Sequence, residues 1–199
     1  MALTNTIRNQ GGVHYVTFTV HQWVDIFTRR LYVDILLDSL RYCQQNKGLE
    51  IYGWAIMSNH CHLILRAKNE NLSDVIRDFK KFTAKEIVKC IQQNTKESRR
   101  EWLNFLLLKD EKIWFWEESY HGEEIFSKTF FDSKLNYIHL NPVRAGLVEK
   151  EEEYLLSSAG DYFGTRKGLL ELSYFGLFCL RVANPSICAS RLQTLYNCN

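Results

Sequence analysis

Two apolar runs, LEIYGWAIMSN (49–59) and HCHLILRAK (60–68), meet at Ser58 and Asn59, residues that favour turns. They read as two strands joined tightly, and a link this short brings neighbouring strands together antiparallel. Helical patterns bracket the pair. Before it, TRRLYVDILLDSLRYCQQNKG places Leu31, Ile35, Leu36, Leu40 and Cys43 at helical spacing, with Thr28 as a cap and Gly48 as the stop. After it, NLSDVIRDFKKFTAKEIVKCIQQ carries Leu72, Val75, Ile76, Phe79 and Phe82 on one side of a second amphipathic helix. A β-branched and aromatic stretch at 13–23, VHYVTFTVHQW, predicts a leading strand, and KIWFWEES (112–119) predicts a further one. DSKLNYIHLN (132–141) predicts a third helix that stops near Pro142. The order β-α-β-β-α-β followed by α is that of an α+β, ferredoxin-like sandwich: an antiparallel sheet with helices on one face, plus a C-terminal helix carrying Tyr137.

A chain of 199 residues, 46% hydrophobic, is long enough for one packed domain with a modest extension and short for two. Its formal charge of +2 neither requires nor excludes a polyanionic partner, so the placement of charge has to decide. Cys43, Cys61, Cys90, Cys179, Cys188 and Cys198 form no CxxC pair, and MALTNTIRNQ lacks the apolar segment of a secretory signal. Reduced thiols and a cytoplasmic location are the expectation. Apolar stretches break off well before about 18 residues, which argues against a membrane span.

Within MSNHCHLIL (57–65), His60 and His62 stand two apart on a predicted strand, so both imidazoles project from one face and Cys61 from the other. Two ring nitrogens can then converge on one ion. The spacing alone also suits one buried, hydrogen-bonded histidine beside one surface histidine. A third donor is available in KLNYIHLNPVRAGLV (134–148), where Tyr137 and Asn141 are four apart on one helix face and His139 points elsewhere. Two imidazoles and an amide oxygen with open positions suit Mg²⁺ or Mn²⁺ bound together with a substrate phosphate. A helix end in which Tyr137 packs and Asn141 caps ahead of Pro142 fits the same periodicity.

Taken together, GWAIMSNHCHLIL and, some seventy residues on, LNYIHLNPVRAGLV resemble the single-tyrosine HUH transposases of small bacterial insertion sequences, above all the REP-associated tyrosine transposases. The resemblance runs from about Val13 to Gly164 and includes YLLSSAGDYFG, similar to a Tyr-x-x-Ser-Ser segment that follows the tyrosine helix in that family. It implies a transposase domain over 1–164 and an extension over 165–199 whose sequence does not reveal a role. It further implies that His60 and His62 are metal ligands, that Tyr137 is the nucleophile, and that Asn141 supplies the remaining protein ligand. The ion implied is Mg²⁺ or Mn²⁺, the partner single-stranded DNA with hairpins. A homodimer, with His60 and Tyr137 meeting in trans, and a monomer, with the two meeting in cis, are both compatible with the family. Two positions depart from its usual pattern: Ser58 replaces a common proline, and Cys61 fills the hydrophobic place between the histidines. A turn accepts serine, and cysteine is a small hydrophobe facing away from the site.

The implied chemistry suits these residue types. A cation on a non-bridging phosphate oxygen offsets the charge that develops during attack on a phosphodiester. A tyrosine phenolate is a weaker base than a sugar alkoxide, so an aryl phosphodiester keeps the bond energy and returns it to a DNA 3′-OH. No nucleotide cofactor is required, and no general base for the tyrosine is evident. Arg77, Lys81, Lys85 and Lys89, with Lys80 alongside, form a basic stripe that suits either a phosphate backbone or plain solvent. Arg144, just after the tyrosine, is a candidate phosphate contact. Trp114 and Trp116 read as core residues before they read as base-stacking ones. The expected activity is metal-dependent nicking and rejoining of single-stranded DNA at hairpin-flanked ends; the alternative is a non-catalytic hairpin-binding protein of the same fold.

Overall fold

The computed structural model describes residues 7–118 and 120–174. In chain order the main elements are β1 (His14–Thr19), α1 (Arg30–Asn46), β2 (Leu49–Ile56), β3 (His60–Ala67), α2 (Leu72–Gln93) and α3 (Arg100–Leu107). A ribbon of β4 (Leu108–Lys109) and β5 (Lys112–Ile113) follows, then β6 (His121–Glu124), α4 (Lys128–Arg144) and α5 (Ala159–Phe163). The sheet runs β2-β3-β1-β6, antiparallel throughout. This is the ferredoxin-like sandwich that the element order predicts.

Alternation along the strands sorts the side chains between two cores. Val16, Phe18, Trp54, Ile56, Cys61, Leu63 and Leu65 pack with α1 and α2. Tyr15, Ala55 and Ile64 turn to the other face, where Phe131, Leu135 and Ile138 of α4 cover them. Large side chains on one face are matched by small ones on the other: in Gly53-Trp54-Ala55, the indole of Trp54 is fully buried and the two small residues leave room for α4. A Cβ on Gly53 would lie 2.6 Å from Leu135 Cδ1, so α4 rests directly on β2. Each fully buried apolar side chain contributes about 1.5–3 kcal/mol, which makes this close approach affordable in free energy despite the glycine.

Several local expectations are corrected. KIWFWEES is not the fourth sheet strand: only Lys112 and Ile113 pair, in the ribbon with β4, while Trp116 makes a single bridge to Val20. Asp110 and Glu111, at φ 50° and 61°, turn the ribbon too tightly for a long strand. The fourth strand is His121–Glu124, which pairs with β1 at an edge and carries no hydrophobic alternation. The two tryptophans separate as well, Trp116 being buried at 8% exposure and Trp114 being 38% exposed. Thr28 does not cap α1; Arg29 holds that place without a side-chain hydrogen bond. Leu31 and Phe82, expected on apolar helix faces, are exposed, and Phe82 lines a groove between α1 and α2. Helix α4 runs past Pro142 to Arg144, because a proline in the last turn loses only one intrahelical bond and the ring of Pro142 is buried. Helix α3, anchored by Leu103 and Leu107, is an element for which the sequence pattern gives no expectation.

Segment 154–158 and Ser173 cover the outer edge of β2. Ile56 N–H donates to Leu156 O, Ser158 N–H to Trp54 O and Ser173 N–H to Ile51 O. Arg41 of α1 donates to Leu169 O, and Leu170 is buried, so residues 165–174 pack on the sandwich. The expected extension continues beyond the described residues, as do Cys179, Cys188 and Cys198. Cys43, Cys61 and Cys90 are free thiols. Among the described residues no helix is long and apolar enough to cross a membrane.

Candidate metal and tyrosine site

His60 and His62 lie at the start of β3 and face α4, while Cys61 between them faces the opposite core. The register of the sheet places Thr17 of β1 directly across from His62 and Thr19 across from His60. Their Nε2 atoms stand 3.1 Å apart, and Asn141 Nδ2 lies 3.1 Å from His62 Nε2. Turning the Asn141 amide by half a revolution brings its oxygen to the same point. Two nitrogens at about 2.1 Å from one octahedral ion, at right angles, are about 3.0 Å apart, so the observed spacing fits a shared cation. Among the described residues there is no cluster of three His, Cys, Asp or Glu, so the amide is needed to complete a three-donor set.

The far nitrogens of both rings are held. Asn59 Nδ2 donates to Trp23 O at 3.1 Å, which leaves Asn59 Oδ1 to accept from His60 Nδ1–H at 2.7 Å. That tautomer keeps a lone pair on His60 Nε2. His62 Nδ1 meets Thr17 Oγ1 at 2.8 Å and Tyr15 Oη at 2.9 Å, and Thr17 Oγ1 donates to Tyr15 Oη at 3.1 Å. A donor chain from His62 Nδ1–H through Thr17 to Tyr15 likewise leaves the lone pair on Nε2. Burial lowers the pKa of His60; burial, then His60 and Lys134, push His62 down to about 3. Both rings are therefore neutral at pH 7, the form that binds metal. Burial raises Tyr15 and pushes the Cys61 thiol up to about 12, which keeps Cys61 out of any thiolate role.

Helix α4 delivers the remaining groups. Ser127 caps it by accepting from Phe130 N–H, and Phe131, Leu135, Ile138 and Pro142 form its buried stripe. Tyr137 and Asn141 occupy the flank of that stripe nearest β3. The Tyr137 ring is 5.4 Å from the His62 ring and 6.2 Å from Tyr15, both edge-on, and is 40% exposed. Tyr137 and the histidine pair thus meet within a single chain. His139 points elsewhere, as expected: it is buried, with Nε2 2.8 Å from Ser158 Oγ.

The expected cations divide between the two sides of the sheet. Arg144 lies 5.7 Å over the Tyr137 ring. Lys134, one turn before the tyrosine, sits 4.6 Å over the Tyr15 ring and pairs with Glu123 at 2.6 Å. Arg77, Lys81 and Lys85 are exposed on α2, which covers the other side of the sheet, and are not brought to the histidines. Arg77 is tied to Asp74 and Asp78. Lys80 turns inward, donating to Glu117 O, and burial lowers its pKa. Sequence reasoning missed Tyr15, Thr17, Asn59 and Lys134. Thr17 was findable as the residue across from His62 once the strand pairing is known, and Lys134 as the residue three before Tyr137.

The profile that describes "Transposase IS200 like" proteins matches residues 10–141, two thirds of the chain, including His60, His62, Tyr137 and Asn141. The chain belongs to the IS200-like transposase family. A solved REP-associated tyrosine transposase bound to a REP hairpin overlays this transposase with a TM-score of 0.62 at 16% identity, covering 88% of this chain and 96% of that one, which shows a common fold. A putative transposase from Deinococcus radiodurans R1 overlaps more loosely, with a TM-score of 0.43 at 18% identity over 63% of this chain and 87% of that one. No protein with a curated description matches the chain.

Proposed function

We propose that this IS200-like transposase nicks and rejoins single-stranded DNA beside a hairpin, with Tyr137 as nucleophile and His60, His62 and Asn141 as ligands of Mg²⁺ or Mn²⁺. The observation that supports it most is the convergence, from a strand and a helix far apart in sequence, of two imidazole Nε2 atoms, one amide and one half-exposed phenol. The donor set, two neutral imidazoles and an amide 3.1 Å apart, fits a divalent cation that leaves positions open for a phosphate. When bound, such an ion supplies charge neutralisation at a non-bridging oxygen of the phosphate.

The chain's own residues do the rest. Tyr137 Oη attacks phosphorus; the bond from phosphorus to the 3′ oxygen breaks, and that oxygen takes up a proton as a free 3′-OH. The DNA 5′ phosphate is then esterified to Tyr137. In rejoining, a 3′-OH attacks the same phosphorus and the phenol leaves with a proton, so no external energy source enters. Asn59, Thr17 and Tyr15 keep the imidazoles oriented, and Arg144, over the Tyr137 ring, with Lys134 over the neighbouring Tyr15 ring and paired to Glu123, places positive charge where the phosphate must enter. The hairpin in this reading comes from the likeness to the hairpin-bound transposase.

The test uses the strands that flank the gene, end-labelled, incubated with protein and Mn²⁺ and run on a denaturing gel. A labelled band at protein mass, absent with chelator and absent for Tyr137→Phe while hairpin binding persists, is the expected outcome. Nicking by Tyr137→Phe removes the tyrosine from the mechanism, and tight hairpin binding without any covalent band marks a non-catalytic DNA-binding protein.

A further inference from the structure

The turn after β1 exposes an indole beside the histidine pair, outside both buried clusters of the sandwich. Trp23 is 61% exposed, and its ring centroid lies 5.8 Å from that of His60. It is held there at a cost: Gln22 and Trp23 sit in the left-handed region, at φ 53° and 57°, where bulky side chains are disfavoured. The turn is tied down from several sides. His21 N–H donates to Phe115 O at 2.7 Å, Gln22 N–H to Glu117 Oε1 at 2.9 Å, and Trp23 O accepts from Asn59, the residue that also orients His60. Further along the same rim the His21 ring stands 6.0 Å from Trp114, which is 38% exposed.

We propose that Trp23 is the stacking platform for an unpaired nucleobase next to the phosphate held between His60 and Tyr137. The inference rests on the DNA-cleavage reading above and adds to it the binding site of a neighbouring base. A large aromatic face left in water and locked by strain at the edge of a phosphate site is what single-strand binding uses, because every base has a π-face and stacking needs no sequence. The rim is continuous with the proposed site, since Asn59 joins Trp23 to His60 by two hydrogen bonds. Its occupant carries its own negative charge along the backbone, and Arg144 and Lys134 lie on the Tyr137 side of the same opening.

The experiment compares the wild-type chain with Trp23→Ala and Trp23→Phe on a hairpin-tailed strand from the flanking DNA, with 2-aminopurine at each unpaired position in turn and with an abasic site at the same positions. One position is expected to be quenched on binding to the wild-type chain and to recover in Trp23→Ala, whose affinity falls about tenfold or more, while Trp23→Phe stays within about threefold. Removing the base at that position should weaken the wild-type chain equally and leave Trp23→Ala unchanged. Binding without a Trp23-dependent position, or losses that simply add, overturns the stacking site and leaves the cleavage reading intact. A change in oligomeric state in place of a change in DNA affinity overturns it in favour of a protein contact. Failure of the wild-type chain to bind any flanking strand overturns both.

Discussion

Acidification from pH 7 to pH 5 in the presence of chelator should cost this protein about 4 kcal/mol of folding stability, through two buried histidines. Burial pushes His139 down to about 3, and His62 falls to about 3 through burial first and then His60 and Lys134. An unfolded histidine takes up its proton near pH 6.5, so below that value the unfolded state binds protons that the native state refuses. A folded pKa below the unfolded one means stability that is whole above pH 6.5 and is lost as pH falls towards 3. At pH 5 each histidine lies about 1.5 pH units below its unfolded value, and at about 1.36 kcal/mol per unit the loss is about 2 kcal/mol each. Because both folded values are well under 5, the loss at pH 5 depends on the unfolded value alone. His60, also lowered by burial, adds in the same direction. The whole stability of a domain is about 5–15 kcal/mol, so the effect is large. The assay is urea unfolding at pH 7, 6 and 5 in EDTA, with His139→Gln as the partner variant. The variant should show about half of the pH dependence, and a wild-type stability that is flat between pH 7 and pH 5 would refute burial as what keeps both rings neutral.

Two further outcomes test how the site is held. Thr17→Val keeps the shape of β1 but removes the hydroxyl 2.8 Å from His62 Nδ1, so Mn²⁺ affinity by calorimetry should fall about 10- to 100-fold with the fold intact; an unchanged affinity rejects Thr17 as the orienting group. Gly53→Ala puts a methyl 2.6 Å from Leu135 Cδ1, so the buried Leu135 side chain has to turn or α4 has to lift from β2; the overpacking should cost about 1–3 kcal/mol on denaturation, and where α4 lifts it should slow formation of the covalent adduct by more than the stability loss explains. Normal adduct kinetics in that variant would show that Tyr137 and Asn141 do not depend on the seating of α4.

Pattern carried most of the architecture because helices α1 and α2 are amphipathic, with buried faces that repeat at a fixed spacing, and because strands β2 and β3, buried on both faces, read as short continuous apolar runs. It failed at β6, an edge strand written His-Gly-Glu-Glu, whose carboxylates pair with Lys134 and Asn9 instead of packing, and at KIWFWEES, where Phe115 and Trp116 fill the core from a segment with almost no ladder. Propensity identified strand-forming residues there and had no access to the pairing partner that decides whether a strand exists.

The sequence by itself determined that His60 and His62 share a face, that Tyr137 and Asn141 share another, and that Cys61 and His139 turn away, since each follows from a local repeat of two or about 3.6 residues. Only the tertiary structure decided that the two faces meet. Gly53 lets α4 settle onto the sheet so that Asn141 reaches His62, strand register sets Thr17 across from the same ring, and a strained turn brings Trp23 to the rim. The Trp23–Asn59, Thr17–His62 and Asn141–His62 contacts span 36, 45 and 79 residues of chain, and no local repeat encodes which distant surfaces close on each other.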